Sequence, residues 1–561
     1  MAHSPRCDAL IIGAGLAGLV AAHQLTSAGK RVAVLDQENE HNIGGQAFWS
    51  FGGLFLVNSP EQRRLRIRDS AELAWIDWQS SAGFDREDDQ DWWAKRWAQA
   101  YVEFAAGEKR SWLGSLGISF LPTVGWAERG SFSASGHGNS VPRFHVAWGT
   151  GTGVVGPFVE FARRARDAGL LTFYHRHRVD ELRISDGRVR GVRGSVLAPD
   201  DAARGVSSNR EVVGDFDFEA AAVIITTGGI GGDHQMVREH WPDRLGTAPK
   251  QMLTGVPAHV DGRMLDIAAD AGVRLVNRDR MWHYVEGVQN WDPVWPDHAI
   301  RILPGPSSMW FDALGRRLPE PCLPGFDTIG TLQHLRTTPD LAEYDHSWFI
   351  ATQSMVRKEF ALSGSEQNPD ITARDKRDFI RQRLLGREAP APVEAFKTHG
   401  ADFVVADTLE ELVQGMNRLA QDAPPLDVAA VRSQILARDL QMDNPYAKDA
   451  QVMAIHNARR SLGERLGRTA SPHKILDPAH GPLIGVKLHI LTRKTLGGIQ
   501  TDLDSRALDS GGEVVEGLYA AGEVAGFGGG GVHGYNALEG TFLGGCLFSG
   551  RAAGRHAAGA V

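Results

Sequence analysis

Cysteine is scarce in this chain: 561 residues contain Cys7, Cys322 and Cys546 only, and no two have CxxC spacing. That excludes a dithiol centre of the usual kind and a disulfide framework, and it points to a reducing compartment, with the cytoplasm expected. Each cysteine reads as a small buried apolar residue, and no metal site is expected. Charge of one sign is not concentrated either. The 60 basic and 68 acidic residues leave −8 with no basic run, so nucleic acid is not an expected partner. No apolar run reaches the roughly 18 residues of a membrane-spanning helix. The first strand-like segment starts at residue 8, so no signal peptide is expected. Tyrosine is also rare, at seven residues: Tyr101, Tyr174, Tyr284, Tyr344, Tyr446, Tyr519 and Tyr535.

Glycine, by contrast, is concentrated at both chain ends. Near the start, the apolar run Ala9–Ile12 leads into Gly13-Ala-Gly15-Leu16-Ala17-Gly18 and a further apolar segment. The run has the character of a buried parallel strand. Gly13 permits the tight turn, Gly15 lets the backbone approach a pyrophosphate, and Gly18 allows close helix–strand packing. A second strand over residues 31–35 ends at Asp36, about 20 residues beyond the glycines, where an acid accepts from a ribose hydroxyl. Strand, glycines, helix, strand and acid in that order predict a dinucleotide site. Near the other end, Gly522-Glu523 precedes Gly528–Gly531 and His533-Gly-Tyr535-Asn-Ala537-Leu538. Two such ends imply that the chain returns to the domain it began.

Two further segments identify the dinucleotide. Gly44-Gly45-Gln46-Ala47 follows the acid, and a strand over residues 218–225 ends in Thr227-Gly228-Gly229. With the terminal motifs, these resemble the succinate dehydrogenase/fumarate reductase flavoprotein superfamily over most of residues 6–60, 150–320 and 475–561. The segment from Gly44 through Gly52 and Gly53 is most similar to the 3-ketosteroid dehydrogenase-like "FAD-binding dehydrogenase" group. The resemblance implies FAD, held by Leu16, Ala17 and Gln37 beside the residues above. It implies that the Val179 backbone meets the adenine, that Glu523 bonds the ribityl chain, and that Ala537 and Leu538 sit at a helix N-terminus facing the flavin. That dipole favours the anionic reduced flavin. The histidine that attaches FAD covalently in membrane-bound members has no match around residues 45–51, so non-covalent FAD is expected.

The resemblance is also informative where it breaks. Enzymes acting on succinate or fumarate need charge-assisted partners for both carboxylates. Here Lys494 stands where that branch has histidine, and Ala537 where it has the clamping arginine. A dicarboxylate held in that manner is not expected, while Lys494 remains able to anchor one anion. Ketosteroid dehydrogenases use a tyrosine to remove a proton while donors polarise the ketone. One such tyrosine is replaced here, in Gly481-Pro482-Leu483-Ile484. Tyr535 then reads either as an acid/base or donor, or as an aromatic packed on the flavin. His533 reads as a backbone anchor or a proton relay, and Tyr284, in Trp282-His283-Tyr284, as a substrate contact.

The expected fold is α/β: a Rossmann-type FAD-binding domain assembled from both chain ends, with an inserted α+β cap domain. Residues 1–274 form its first part, residues 275–475 the cap, and residues 476–561 its C-terminal part, with 485–490 returning as a strand to the flavin sheet. A tryptophan-rich helical insertion spans 56–148, where Trp93, Trp97, Ala100, Tyr101 and Phe104 share a helix face that reads first as core packing. The expected activity is FAD-dependent dehydrogenation of a C–C bond next to a carbonyl in an apolar steroid-like or cyclic ketone. The alternatives are a fumarate-reductase-like enoate reductase acting on a non-dicarboxylate acid, and a non-catalytic flavin-binding protein. Expected partners are the small-molecule substrate, an unidentified electron acceptor and, optionally, a second copy of the chain.

Overall fold

Ala9–Ile12 is apolar on both faces and takes the interior place of a six-stranded sheet, since only a strand covered on both sides can bury every side chain. In a computed structural model describing residues 7–130, 136, 138–383, 386 and 388–561, the strand order of this sheet is 506–508, 514–520, 222–225, 9–12, 32–36 and 171–175. All neighbours are parallel except the edge strand Arg506–Leu508. Val223–Ile225 pairs with Leu518–Ala520, so the C-terminal segment completes the sheet that Ala9 began. The chain ends also meet in the helix layer. A Cβ at Gly550 or Gly554 would lie 2.5 Å from the Ala17 carbonyl or 2.7 Å from that of Ala21, so the last helix, Thr541–Ala560, packs closely on the first, Leu16–Ser27.

A second, mostly antiparallel sheet of eight strands is built around Leu483–Thr495, which pairs with Met281–Gln289, His346–Thr352, Phe403–Ala406 and Leu253–Thr254. Residues 485–490 therefore do not return to the flavin sheet. Their side chains are buried or half-buried between neighbours on both sides, and the strand is the centre of the second sheet. A separate three-stranded meander contains the hairpin His177–Ser185 and Arg188–Leu197. Asp186 (φ 54°) and Gly187 (φ 71°) make its two-residue turn with both residues left-handed.

The insertion over 56–148 holds four helices, Pro60–Arg64, Ala71–Ala82, Asp91–Ala106 and Lys109–Ser115, but also the strands Phe120–Gly125 and Phe144–Ala147. Trp97, Tyr101 and Phe104 form one buried face of Asp91–Ala106, with Trp93 and Ala100 half-buried. Phe104 stacks on Phe548 of the last helix at 4.8 Å, and the Trp97 indole donates to the Asp502 carbonyl at 2.9 Å. These aromatics are core rather than entrance. Replacing the fully buried Trp97 with alanine is expected to cost about 3–5 kcal/mol of unfolding free energy. A urea titration finding less than about 1 kcal/mol would contradict that packing role.

Candidate active site

The carboxyl ends of the strands Ala9–Ile12, Val32–Asp36 and Ala222–Ile225 open onto a cleft of about 1050 Å³. Ligands in open α/β sheets bind at this end. Helix Leu16–Ser27 begins at Gly15 (φ −75°) with no side chain capping it, so its first N–H groups, at the cleft wall formed by Gly15, Leu16 and Ala17, remain free for an anion. At Gly13 (φ 101°) a Cβ would sit 2.8 Å from the Thr226 carbonyl, so only glycine makes this turn.

Asp36, Gln37, Gly45, Gln46, Ala47, Val179, Thr227, Gly228, Gly522 and Glu523 also line this cleft. Both Asp36 oxygens accept one backbone N–H, from Ala14 at 2.8 Å and Glu38 at 2.9 Å, and each keeps capacity for a ribose hydroxyl. Burial pushes the Asp36 carboxyl upward. Gly18, Gly44, Gly52 and Gly229 line neither this cleft nor its neighbour. Gly18 packs the helix on the first strand, Gly44 meets Val155, and Gly52 abuts Thr150. Gly229 lies against Thr495 and Glu523. An uncapped helix start, a glycine-only turn and an acid at the second strand end together suit the pyrophosphate and ribose of FAD.

A second chamber, about 820 Å³, adjoins the first through the shared residues Gln46, Ala47, Glu523 and Cys546. Phe51, Phe144, Leu303, Phe527, Phe542 and Leu543 give it an apolar wall, and Gly53 also borders it. Its polar lining comes mainly from the second sheet, as Tyr284, Arg301, Arg493 and Lys494, joined by Glu539 from just before the last helix. Lys494 Nζ donates to the Tyr284 hydroxyl at 2.7 Å, and that hydroxyl donates to Glu539 Oε1 at 3.1 Å. Arg301 Nη1 reaches Glu539 at 2.8 Å, its Nε reaches Glu286 at 3.3 Å, and its Nη2 pairs with Glu128. Burial and the two neighbouring arginines, Arg493 and Arg301, outweigh the carboxylate of Glu539 and bring Lys494 down to about 7. Burial, reinforced by Glu539, holds the Tyr284 phenol well above its ordinary value. Burial raises the Glu539 carboxyl, but Arg301 and Lys494 outweigh it and keep the group ionised.

Of the four expected acid/base candidates, the fold brings Tyr284 and Lys494 together on this wall. Tyr535 and His533 line neither chamber. Tyr535 lies under the Arg244 guanidinium at 4.6 Å, beside the end of helix Ala71–Ala82. His533 is buried against Trp78 and Phe542, and burial lowers it to about 3, so its ring is neutral. Ala537 and Leu538 are buried and precede the helix, which starts at Thr541. Gly540, Phe542 and Leu543 are the residues of that helix start that meet the chamber.

Arg301, Arg493 and Glu539 are the residues that sequence reasoning did not single out. Arg301 lies on a strand of the second sheet with no motif around it. Glu539 was visible inside the C-terminal glycine motif, but nothing in spacing alone aims it at Arg301. Where the sequence offered Lys494 as an anion anchor, the chamber has two further cations at its wall, Arg301 and Arg493. Among the described residues, no group of three or more His, Cys, Asp or Glu is arranged to hold a metal, and no helix is long and apolar enough to cross a membrane.

Comparison with known proteins agrees with this geometry. Residues 8–543 match the FAD binding domain family. The chain is 59% identical to a KsdD-like steroid dehydrogenase of Mycobacterium tuberculosis over 551 residues, covering 98% of this chain and 95% of that protein. It is 60% identical over 536 residues to a KsdD-like steroid dehydrogenase of Mycolicibacterium smegmatis, covering 96% of each. In fold it is similar to the 3-ketosteroid Δ1-dehydrogenase of Sterolibacterium denitrificans in complex with 1,4-androstadiene-3,17-dione. That match has a TM-score of 0.65 at 14% identity, and covers 99% of this chain and 100% of the other. With the family match spanning nearly the whole chain, the protein is an FAD-dependent oxidoreductase of the FAD binding domain family.

Proposed function

We propose that FAD lies non-covalently across the first cleft, with its pyrophosphate at Gly15–Ala17, a ribose at Asp36 and the adenine near Val179, and that its ring ends beside Glu523 and Gln46. On this reading residues 1–274 and 476–561 supply the Rossmann-type FAD-binding domain and residues 275–475 the cap, with Leu483–Thr495 structurally part of the cap sheet. The second chamber takes an apolar, steroid-like ketone and dehydrogenates the C–C bond next to its carbonyl. The relatives described above at about 60% identity are named as steroid dehydrogenases. The observation that carries the reaction is the Lys494–Tyr284 pair at the chamber wall.

FAD, when bound, supplies the two-electron acceptor; the protein's part is the proton. Removing a proton from carbon next to a ketone needs a base whose strength matches the working pH. A phenol raised by burial is a poor base by itself. A neighbouring amine that titrates near 7 changes this: 2.7 Å from the hydroxyl, neutral Lys494 can accept the phenol proton once the O–H turns from Glu539 towards it, as Tyr284 takes a proton from the substrate. Glu539 is the weaker acceptor, since Arg301 lowers its carboxyl in spite of burial. Its role is to orient the phenol. Glu128, Glu286 and Glu539 surround a single Arg301, and burial pushes the Glu128 carboxyl well above its ordinary value.

Several outcomes follow. A 3-ketosteroid should bleach the bound flavin in anaerobic mixing, and failure of every ketone tried would overturn the reading. Tyr284→Phe should lower the rate of bleaching by roughly 10²–10⁴-fold while leaving the oxidised flavin spectrum intact. Because the neutral amine is the competent form, dehydrogenation should rise with pH up to about 7 and then level off, and the reverse reduction of an enone should fall over the same range. A flat profile between pH 6 and 8, or one unchanged in Lys494→Met, would remove Lys494 from the proton path. For the cofactor cleft, Gly15→Val is the cleanest probe. Its φ of −75° suits any residue, and a Cβ there meets little but the cleft, 3.9 Å from the Thr226 carbonyl. The variant should keep its melting temperature as apoprotein and lose at least about tenfold in FAD affinity, 1.4 kcal/mol. Unchanged flavin occupancy after dialysis would contradict the assignment.

A further inference from the structure

Strand Leu483–Thr495 carries an irregularity where it borders the substrate chamber. Trp282 pairs with Lys494 and His283 with Thr492, so Arg493 is an extra residue with no partner across the ladder. A bulge of this kind re-aims side chains. In a regular strand consecutive residues point to opposite faces, yet here both Arg493 and Lys494 line the same chamber. The arginine stem lies over Gly255, where an added Cβ would come within 3.2 Å of its Cγ and Cδ, so the glycine gives the stem its course.

Among the described residues, the Arg493 guanidinium makes no hydrogen bond or ion pair, although the side chain is only half exposed. The Glu366 carboxyl only feels its charge. The chamber's carboxylates are engaged elsewhere: Glu539 by Tyr284 and Arg301, and Glu523 by the Thr495 N–H and the Gln46 amide. Lys494, the adjacent cation, is bonded to the Tyr284 hydroxyl and lies 3.9 Å over the Phe542 ring. Arg301 carries its own glutamates. Arg493 is thus the cation of the wall with donors to spare, in a cavity otherwise faced by aromatic and aliphatic side chains. A partly desolvated guanidinium with free donors is matched best by a carboxylate, which can accept two parallel N–H groups.

We infer that the substrate is an apolar ketone carrying a carboxylate, such as a steroid acid, and that Arg493 binds that carboxylate and sets the preference for acids over neutral ketones. This rests on the dehydrogenase reading above for its ketone, but not for its anion. Lys494 stays with proton transfer, and the anion site is the bulge residue beside it.

The test uses the FAD-loaded protein and two pairs of probes. In the first pair, a 3-ketosteroid with a side-chain carboxylate is compared with its methyl ester. The ratio of kcat/KM, acid over ester, should be roughly 10- to 100-fold in the native protein and should fall to about 1 in Arg493→Gln. A ratio near 1 in the native protein overturns the inference. So does an Arg493→Gln variant in which acid and ester decline by the same factor, because the arginine would then serve the cofactor or the fold. In the second pair, a saturated steroid carboxylate lacking any ketone and its methyl ester are compared by equilibrium dialysis. The acid should bind at least tenfold tighter, and Arg493→Gln should abolish the difference. Failure of all ketones to bleach the flavin with acid-selective binding intact would sink the dehydrogenase reading alone. Loss of acid selectivity in binding would sink the anion site alone.

Discussion

The buried carboxylate of Glu523 is the contact on which the rest of the site depends. Ionised or not, a buried carboxyl must have its oxygens hydrogen-bonded, because leaving them bare costs several kcal/mol. Its partners come from two distant places. Oε2 accepts from the Gln46 amide, 477 residues away in sequence, and Oε1 accepts from the Thr495 N–H at the end of the long strand of the second sheet. Thr495 in turn accepts from the Ile230 N–H through its hydroxyl, at the end of the segment that follows Gly229. The Gly44–Gly45 segment, the segment after the strand Ala222–Ile225, the second sheet and the C-terminal glycine turn are thereby tied at one point. That point is the boundary between the cofactor cleft and the substrate chamber.

Once that boundary is fixed, the division of labour between the walls follows from where charge can be kept. The apolar wall comes from the segment after the first sheet and from the start of the last helix, through Phe51, Phe144, Phe542 and Leu543. The polar wall comes mainly from strands of the second sheet, where Tyr284, Arg301 and Lys494 have fixed partners and Arg493 does not. Arg301 alone is shared among Glu128, Glu286 and Glu539, which lets a cluster of acids stay buried without swelling the core with unpaired charge. The tuned amine of Lys494 is a by-product of the same crowding, since burial and adjacent cations both disfavour its charged form.

The cofactor half was legible because its rules are local. Gly13, Gly15, Asp36 and Gly228 act through backbone shape and helix ends, and a turn of a few residues suffices to recognise them. Val179 was placed from its resemblance to a strand in relatives, and it does line the cleft. The substrate half was legible only in part. Tyr284 and Lys494 were both singled out, but nothing in their separate contexts says that a hydroxyl and an amine 210 residues apart meet at 2.7 Å. Tyr535 and His533 looked close to the flavin by their motif, and their side chains turn instead toward Arg244 and Trp78. The helix assigned to Ala537 begins at Thr541, because Gly534 and Gly540 adopt positive φ and delay helical geometry.

By itself the sequence pointed to a mixed α/β protein that binds FAD, with glycine-rich turns from both termini as its expected cradle and, by resemblance, no dicarboxylate clamp at Ala537. These are consequences of backbone rules and of residue identity at motif positions, which need no long-range geometry. Only the tertiary structure decided the chemistry of the second chamber. It assigned residues 483–495 to the second sheet and, through one extra residue in the ladder, turned Arg493 and Lys494 to the same side. Register and bulges are set by the pairing of distant strands, and the charge state of a buried amine by everything packed around it, so neither can be read from the local sequence.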